Sequence, residues 1–388
     1  MNKTIFRLLG VLVLATGLTQ CRPKDTLQTP ETAPLEFSAA MPEWAASANI
    51  YEVNIRQYTP EGTFKAFIPH IGRLKKMGVD ILWLMPIFPI SEERRKGTLG
   101  SYYAVSDFRT VNPEFGTLDD FRLLMQTARE NKMKVILDWV PNHTGFGHRW
   151  IKEHPEYYTQ NDKGEIIDPL NPETGQSWGW TDVADLNYDN TAMRQQMIDD
   201  MLYWVTDHRI HGFRCDVAEH VPDDFWADAT QQIRQINPDI FMLAEAEYAP
   251  HRNESLFAMS YGWSFHHLMN QVAKGEKPVS AFKEWLIADR KNFRKGYHMQ
   301  FITNHDENSW NGTEFERLGP ALKAMAVLTH TFDGMPLMYS GQEAGLNRRL
   351  AFFEKDVISW EDLSLSAFYG KLLALKHNNK ALWNGAHG

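Results

Sequence analysis

ILDWVPNH (136–143), GFRCDVAEH (212–220), FMLAEAE (241–247) and FITNHDEN (301–308) share one plan: a short apolar run that closes on Asp, Glu, His or Asn. The decisive acids are Asp138, Asp216, Glu245 and Asp306. A run of this length reads as a buried strand, and a polar residue just past it lies at the strand's C-terminal end. In a parallel barrel those ends converge on one face, where side chains form the active site. Carboxylates gathered there can divide acid and nucleophile roles, as glycosidic bond cleavage requires.

Working outward from these strings, eight strand candidates appear in order: Ile50–Ile55, Ile81–Met85, Val135–Trp139, Gly212–Cys215, Ile240–Ala244, Leu256–Met259, Met299–Ile302 and Leu337–Tyr339. Helical patterns separate most of them. Thr117 to Asp120 reads as a capping box, followed by the apolar stripe Phe121, Leu124, Met125 and Ala128. Met193, Met197, Met201 and Val205 repeat at i+4 and read as core. The helix around Pro250 to Glu254 is weak. Strand and helix alternating eight times predict a (β/α)8 TIM barrel. The stretch after His143 is too long for an ordinary strand-to-helix loop and is rich in Trp, Tyr, Pro, Asn and Gly. It reads as a short inserted subdomain, about 144–186, over the active face.

With 388 residues and 43% hydrophobic content, the chain can bury one large barrel core. A net charge of −9 argues against nucleic acid or an anionic surface as the main partner. The 13 tryptophans serve barrel packing first and sugar-stacking platforms second.

At the N-terminus, Lys3 and Arg7 precede an apolar run, Leu8 to Leu18, too short to span a bilayer, and Cys21 follows. Residues 1–21 resemble a bacterial lipoprotein signal, in which the Cys becomes the lipidated first residue; Gln20 departs from the small residue usual before it. Residues 22–46, rich at first in Pro, Thr and Glu, read as a flexible tether, and 47–388 as the catalytic barrel. The expected place is exported and membrane-anchored, on the periplasmic or outer side. Cys215 is the other cysteine, so no disulfide framework is expected.

Arg214 and Asp216 lie two apart on one strand and face the same side. A guanidinium there is expected to hold Asp216 ionised, as a nucleophile must be. Glu245 follows the run Phe241 to Ala244; as an acid it must hold a proton at working pH, and Glu247 is its rival. His305 and Asp306 can stabilise positive charge on a sugar ring. A His-Asp-His set could also suggest a metal hydrolase, but the first strand carries Glu52 and Asn54 where zinc sites would use His.

These strings, together with GVDILWLMP (78–86), ADLN (184–187) and GMPLMYSGQE (334–343), resemble the α-amylase family, glycoside hydrolase family 13, from Ile50 to Trp383. The resemblance implies Asp216 as nucleophile, Glu245 as acid/base and Asp306 as transition-state stabiliser. It places Tyr103, His143, Arg214 and His305 around the sugar whose bond breaks, with Tyr103 stacked beneath it. It also implies a structural calcium, with Asn142, Asp185 and the backbone carbonyl of His220 at ligand positions. Glu219 stands where a Lys is common, and Glu247 where a Trp is frequent. The family's C-terminal β-sandwich is expected to be absent from this chain, because nothing remains after the last helix to form it. The expected activity is retaining hydrolysis of α-glucosidic bonds in starch-type glucans or malto-oligosaccharides. An α-glucan transglycosylase using the same residues and a non-catalytic glucan-binding protein are the alternatives; the second would be marked by a lost carboxylate.

Overall fold

The computed structural model describes residues 40–384. The signal with Cys21 and most of the tether lie outside the described residues. Eight parallel strands close into a barrel: β1 Ile50–Val53, β2 Ile81–Leu84, β3 Lys134–Trp139, β4 Gly212–Cys215, β5 Phe241–Ala244, β6 Met259–Tyr261, β7 Tyr297–Gln300 and β8 Met335–Tyr339. Each strand pairs with its neighbours in sequence, and β8 meets β1 with Leu337 opposite Ile50.

Alternation along the strands sorts two cores. Ile50, Trp83, Ile136, Leu243, Met299 and Leu337 form one cluster, the barrel interior. Tyr51, Leu82, Leu137, Phe213 and Met242 belong to the other, between strands and helices. Both faces are therefore buried, which is why the strands read as continuous apolar runs rather than as alternating ones. Gly212 opens β4 because a Cβ there would collide with the Phe241 carbonyl of the paired strand.

The helices follow their local signals. Thr63 caps Phe64–Met77 through the Ala66 N–H at 3.3 Å, and Gly78, with φ 110°, ends it in the left-handed region. Leu118–Glu130 has both halves of the expected capping box, Asp120 N–H to Thr117 Oγ1 at 3.2 Å and Thr117 N–H to Asp120 Oδ2 at 3.0 Å. Its predicted stripe is buried, as is the Met193-to-Val205 stripe of Thr191–Thr206. The weak helix forms over Ala249–Asn253 only.

Two strands differ from expectation. Leu256 and Phe257 are buried, but β6 pairs only from Met259 onward, and β7 starts and ends two residues before the expected Met299–Ile302. An apolar run marks burial; where parallel pairing begins depends on the neighbouring strand. His305 and Asp306 thus stand beyond β7, at the start of the helical turn that continues through Glu307–Asn311, not at the strand's last residues.

The expected tether also ends sooner than residue 46. Met41, Ala45 and Ala48 are buried with the barrel-interior cluster, and Trp44 Nε1 donates to the Asp239 carbonyl at 3.0 Å. Asn384 Nδ2 donates to the carbonyls of Ala45 and Ala48, tying the two ends of the described chain together.

Between β3 and the helix Thr191–Thr206, an antiparallel ribbon pairs His143–Gly145 with Val183–Asp185. It holds the intervening residues against the mouth of the barrel. In the last helix, Ser366–Asn378, Leu372 and Leu373 are buried while Leu375 is exposed.

Candidate active site

One fully buried guanidinium organises the mouth. Arg214, near the end of β4, donates from Nη1 to Asp138 Oδ1 at 2.8 Å and to Asp216 Oδ1 at 2.9 Å. Its Nη2 ion-pairs with Glu245 Oε1 at 2.5 Å, and its Nε donates to the Tyr261 hydroxyl at 3.1 Å. Period two on β4 sends Arg214 inward while Phe213 and Cys215 join the outer core, as the sequence predicts. Three acids from three consecutive strands thus converge on one cation.

Across the mouth, His305 Nδ1 meets Glu52 Oε1 at 2.5 Å and its Nε2 lies 2.8 Å from the Tyr103 hydroxyl. Asp306 Oδ2 is 3.3 Å from the same Nε2. The Tyr103 hydroxyl also donates to Asp138 Oδ2 at 3.0 Å, so tyrosine links the two clusters. Its ring stacks parallel to His305, with centroids 5.5 Å apart.

Five carboxyls therefore share two cations, and burial decides which of them keep protons. Burial opposes charge on His305, but Asp306 and Glu52 outweigh it and raise the imidazole to about 9. Burial pushes Asp138 up to about 6 against the pull of Arg214, and it raises Glu52 and Asp306 as well. Burial also drives His143 down to about 3, so that ring is neutral and can offer one donor and one acceptor.

The two central acids reverse the expectation. Burial raises Asp216 far above the usual carboxylate range, and the Glu245 charge adds to it. Glu245 sits lower than usual despite its own burial, because Arg214 Nη2 faces it and the Val217 N–H donates to its Oε2 at 2.8 Å. Val217 holds φ 44°, a left-handed conformation costly for a β-branched residue, and in doing so aims that N–H. Arg214 lies beside both acids, but Glu245 has the closer contact. These surroundings favour the negative charge on Glu245 over Asp216.

These groups open into a cleft of about 630 Å3 lined by Tyr103, His143, Asp216, Glu245, His305 and Asp306, with His220 and Glu219 farther along. Every predicted catalytic and sugar-contacting residue thus lies at the mouth, Arg214 directly beneath the lining. Glu247 does not join them: both its oxygens accept from Ser264, at the start of the helix Trp263–Ala273. Glu52 carries no role in the sequence reading. Its signal was present, a lone acid in the apolar strand IYEV.

The implied calcium ligands fit a hard cation. Asp185 is raised to about 6 by burial; the Thr159 hydroxyl opposes this, and a second acid, Asp168 of the insertion, adds to it. Asp185 pairs with His143 in the ribbon, next to Asn142. Asp168 is near enough to raise Asp185, and the adjoining Leu186 N–H donates to the Asn142 carbonyl, so acid and amide oxygens of the kind calcium takes gather there. A different cluster, Glu247, Asp289 and His298, also lies close together. There Arg252 Nη1 contacts His298 Nε2 at 2.9 Å, so a guanidinium already supplies the positive charge.

A parallel (β/α)8 barrel with its acids at the C-terminal mouth defines the class. The family follows: the model described as "Alpha amylase, catalytic domain" matches residues 33–367, and the chain belongs to that family. It is 27% identical over 358 residues to Alpha-amylase MalA of Haloarcula japonica, covering 88% of this chain and 50% of that protein. It is 27% identical over 372 residues to trehalose-6-phosphate hydrolase of Escherichia coli K12, covering 79% and 66%. An α-amylase crystal structure from Lactobacillus plantarum superposes with a TM-score of 0.77 at 32% identity, covering 86% of this chain and 80% of that one. The chain thus spans between half and two thirds of the length of these two curated relatives.

Proposed function

We propose that the chain is a retaining glycoside hydrolase acting on α-glucosidic bonds of starch-type glucans or malto-oligosaccharides. The observation that carries this is Asp216 and Glu245 held side by side on one guanidinium, with Asp306 across the cleft. Asp216 attacks the anomeric carbon, and the electron pair of the breaking bond passes to the leaving oxygen, which takes a proton from Glu245. Water, deprotonated by Glu245, then attacks the same carbon and releases Asp216. Asp306 and Tyr103 face the ring as positive charge develops.

In the empty site burial and the neighbouring charge favour the proton on Asp216, whereas the first step needs it on Glu245. The pair needs one proton in both the empty and the loaded state, on Asp216 in the first and on Glu245 in the second. Substrate binding therefore moves it between them, and pH profiles report the pair rather than either acid. Proton NMR of products from an α-linked oligosaccharide is the test, with the α-anomer expected first. Initial β-anomer would overturn retention, and transfer products without free sugar would favour the transglycosylase.

The same reading includes calcium held by Asp185, Asp168, Asn142 and the His220 carbonyl. The ion would supply fixed positive charge that binds the insertion to the barrel. Calcium at about a hundred times its dissociation constant adds roughly 2.7 kcal/mol, so the melting temperature should rise by several degrees over a chelated sample. Asp185→Ala should abolish the rise. Identical melts with calcium and chelator would remove the ion from the scheme.

Export as a lipoprotein belongs to the proposal too, resting on Leu8–Leu18 and Cys21. Bacterial expression with labelled fatty acid should give a labelled, membrane-bound protein, and Cys21→Ser should lose both properties. Equal labelling of that variant would defeat the anchor.

A further inference from the structure

The string HDENSWNGTEFER (305–317) sets two acids side by side just beyond β7, and the fold treats them differently. Asp306 lines the cleft, while Glu307 is buried in the protein and does not. Among the described residues the Asp306 carboxyl has one ion-pair partner, His305 Nε2 at 3.3 Å. Its aim therefore depends on its backbone. That backbone leads into a π-helix over Glu307–Asn311, a wide turn that is rare and occurs mostly at functional sites.

Glu307 holds this turn at both ends. Its N–H donates to Asn304 Oδ1 at 2.8 Å, and its Oε1 accepts from Asn311 Nδ2 at 2.9 Å. Its Oε2 lies 3.1 Å from His266 Nε2 and 3.7 Å from Arg317 Nε. Arg317, on the helix Glu314–Leu318, closes the base of the segment: Nη2 donates to the Ile302 carbonyl at 2.7 Å and Nε to the Gly312 carbonyl at 3.0 Å. Its Nη1 donates to Asn270 Oδ1 at 3.1 Å, on the helix Trp263–Ala273 that also carries His266. One guanidinium thus bridges Ile302 and Gly312, with His305 and Asp306 on the chain between them. The far side of the turn is tied separately, since Asn308 Nδ2 donates to the Arg348 carbonyl at 3.1 Å and its Oδ1 accepts from the Leu350 N–H at 2.8 Å.

A buried ion pair is a weak source of stability, because apolar side chains of similar volume often do as well or better. What Glu307 and Arg317 provide is a fixed geometry. Resting on the activity proposed above, we propose that Glu307 and Arg317 are positioning residues that act through Asp306, holding its carboxyl where positive charge develops on the sugar ring. Neither lines the cleft, so any effect they have on chemistry passes through the turn they hold. A misplacement of about 1 Å at a reacting group can cost on the order of 10^2-fold in rate.

The test is a double-mutant cycle on α-glucosyl fluoride, whose leaving group needs no proton from Glu245, with thermal melts to confirm that each variant is folded. Glu307→Ala should lower kcat about 10^2-fold, with KM within about twofold of the parent. Asp306→Asn should lower it about 10^3-fold. The double variant should lie within about threefold of Asp306→Asn alone, because a residue acting through Asp306 then has nothing left to position. Arg317→Lys keeps the charge but not the planar fork, and should lose about tenfold in kcat with the same dependence on Asp306. Should Glu307→Ala fail to fold, Glu307→Gln takes its place in the cycle. Losses that multiply in the double variant, losses confined to KM, or a lowered melting temperature at unchanged kcat would overturn the positioning role. Should the parent cleave neither the fluoride nor malto-oligosaccharides, the hydrolase reading fails by itself. A crystal structure of the Glu307 variant then decides the positioning: an Asp306 carboxyl displaced by about 1 Å or more supports it, and an unmoved one sinks it.

Discussion

Asp216→Asn should abolish turnover, with kcat falling about 10^4-fold or more, while the melting temperature at pH 7 holds level or rises. Loss of a covalent nucleophile on this scale removes the easier of two routes, since no neighbouring group can form the glycosyl-enzyme. The stability half follows from the sign of the shift. Asp216 binds its proton more tightly folded than unfolded, because burial and then Glu245 raise it. Its ionisation therefore weakens the fold progressively as pH rises above the unfolded value and toward the folded one. Asn is neutral at every pH, and its Oδ1 can still accept from Arg214 Nη1. Glu245→Gln should behave oppositely in stability. Glu245 is held low by Arg214 and the Val217 N–H, so its charge supports the fold above the ordinary Glu range, and Gln forfeits that support. Reducing-sugar assays paired with melts from pH 5 to 8 would check both variants. A lower melting temperature for Asp216→Asn than for Glu245→Gln at pH 7 would reject the proton placement described here.

The sequence made the residues of this site legible, but not their charge states. Asp216, Glu245 and Asp306 could be picked out because each follows an apolar run, and parallel strands can deliver such positions to only one end of a barrel. Arg214 was legible through period two on β4. Which acid its Nη2 would face was not, because that depends on how β5 sits against β4 and on the backbone twist at Val217. Glu52 lay in plain view in β1, yet its partner His305 is 253 residues away in sequence. Asp168 shows the same limit: it is one acid among several in the insertion, and only the bond from the Asp185 N–H to the Ile167 carbonyl sets it near Asp185. The starts of β6 and β7 failed for a simpler reason, since an apolar run reports burial and not hydrogen-bond register.

The second large effect is expected from Arg214→Met, and it falls on stability as much as on chemistry. Met fills similar space and packs well, so the variant isolates the charge. In the parent, Arg214 is fully buried, bonds two aspartates and a glutamate, and lies 5.1 Å from the centre of the Trp83 ring. Removing one partner of a buried ion network leaves the others uncompensated, at a cost of roughly 3–5 kcal/mol. Asp138 and Glu245 would answer by taking up protons, each becoming a stronger base in the folded state than in the unfolded one, while Asp216 is already raised in the parent. The deficit should consequently be largest at pH 7 to 8 and shrink as pH falls toward 5, where protonation relieves the repulsion. A parent-minus-variant melting difference that narrows on acidification is the expected signature. Arg214→Lys should fall between the two, since it restores charge without the planar fork that reaches several carboxylates at once. A difference that stays constant from pH 8 to 5 would assign the loss to packing around Trp83 and Tyr261 instead. Arg214 would then be a structural support beneath the site and not the cation that sets its charge.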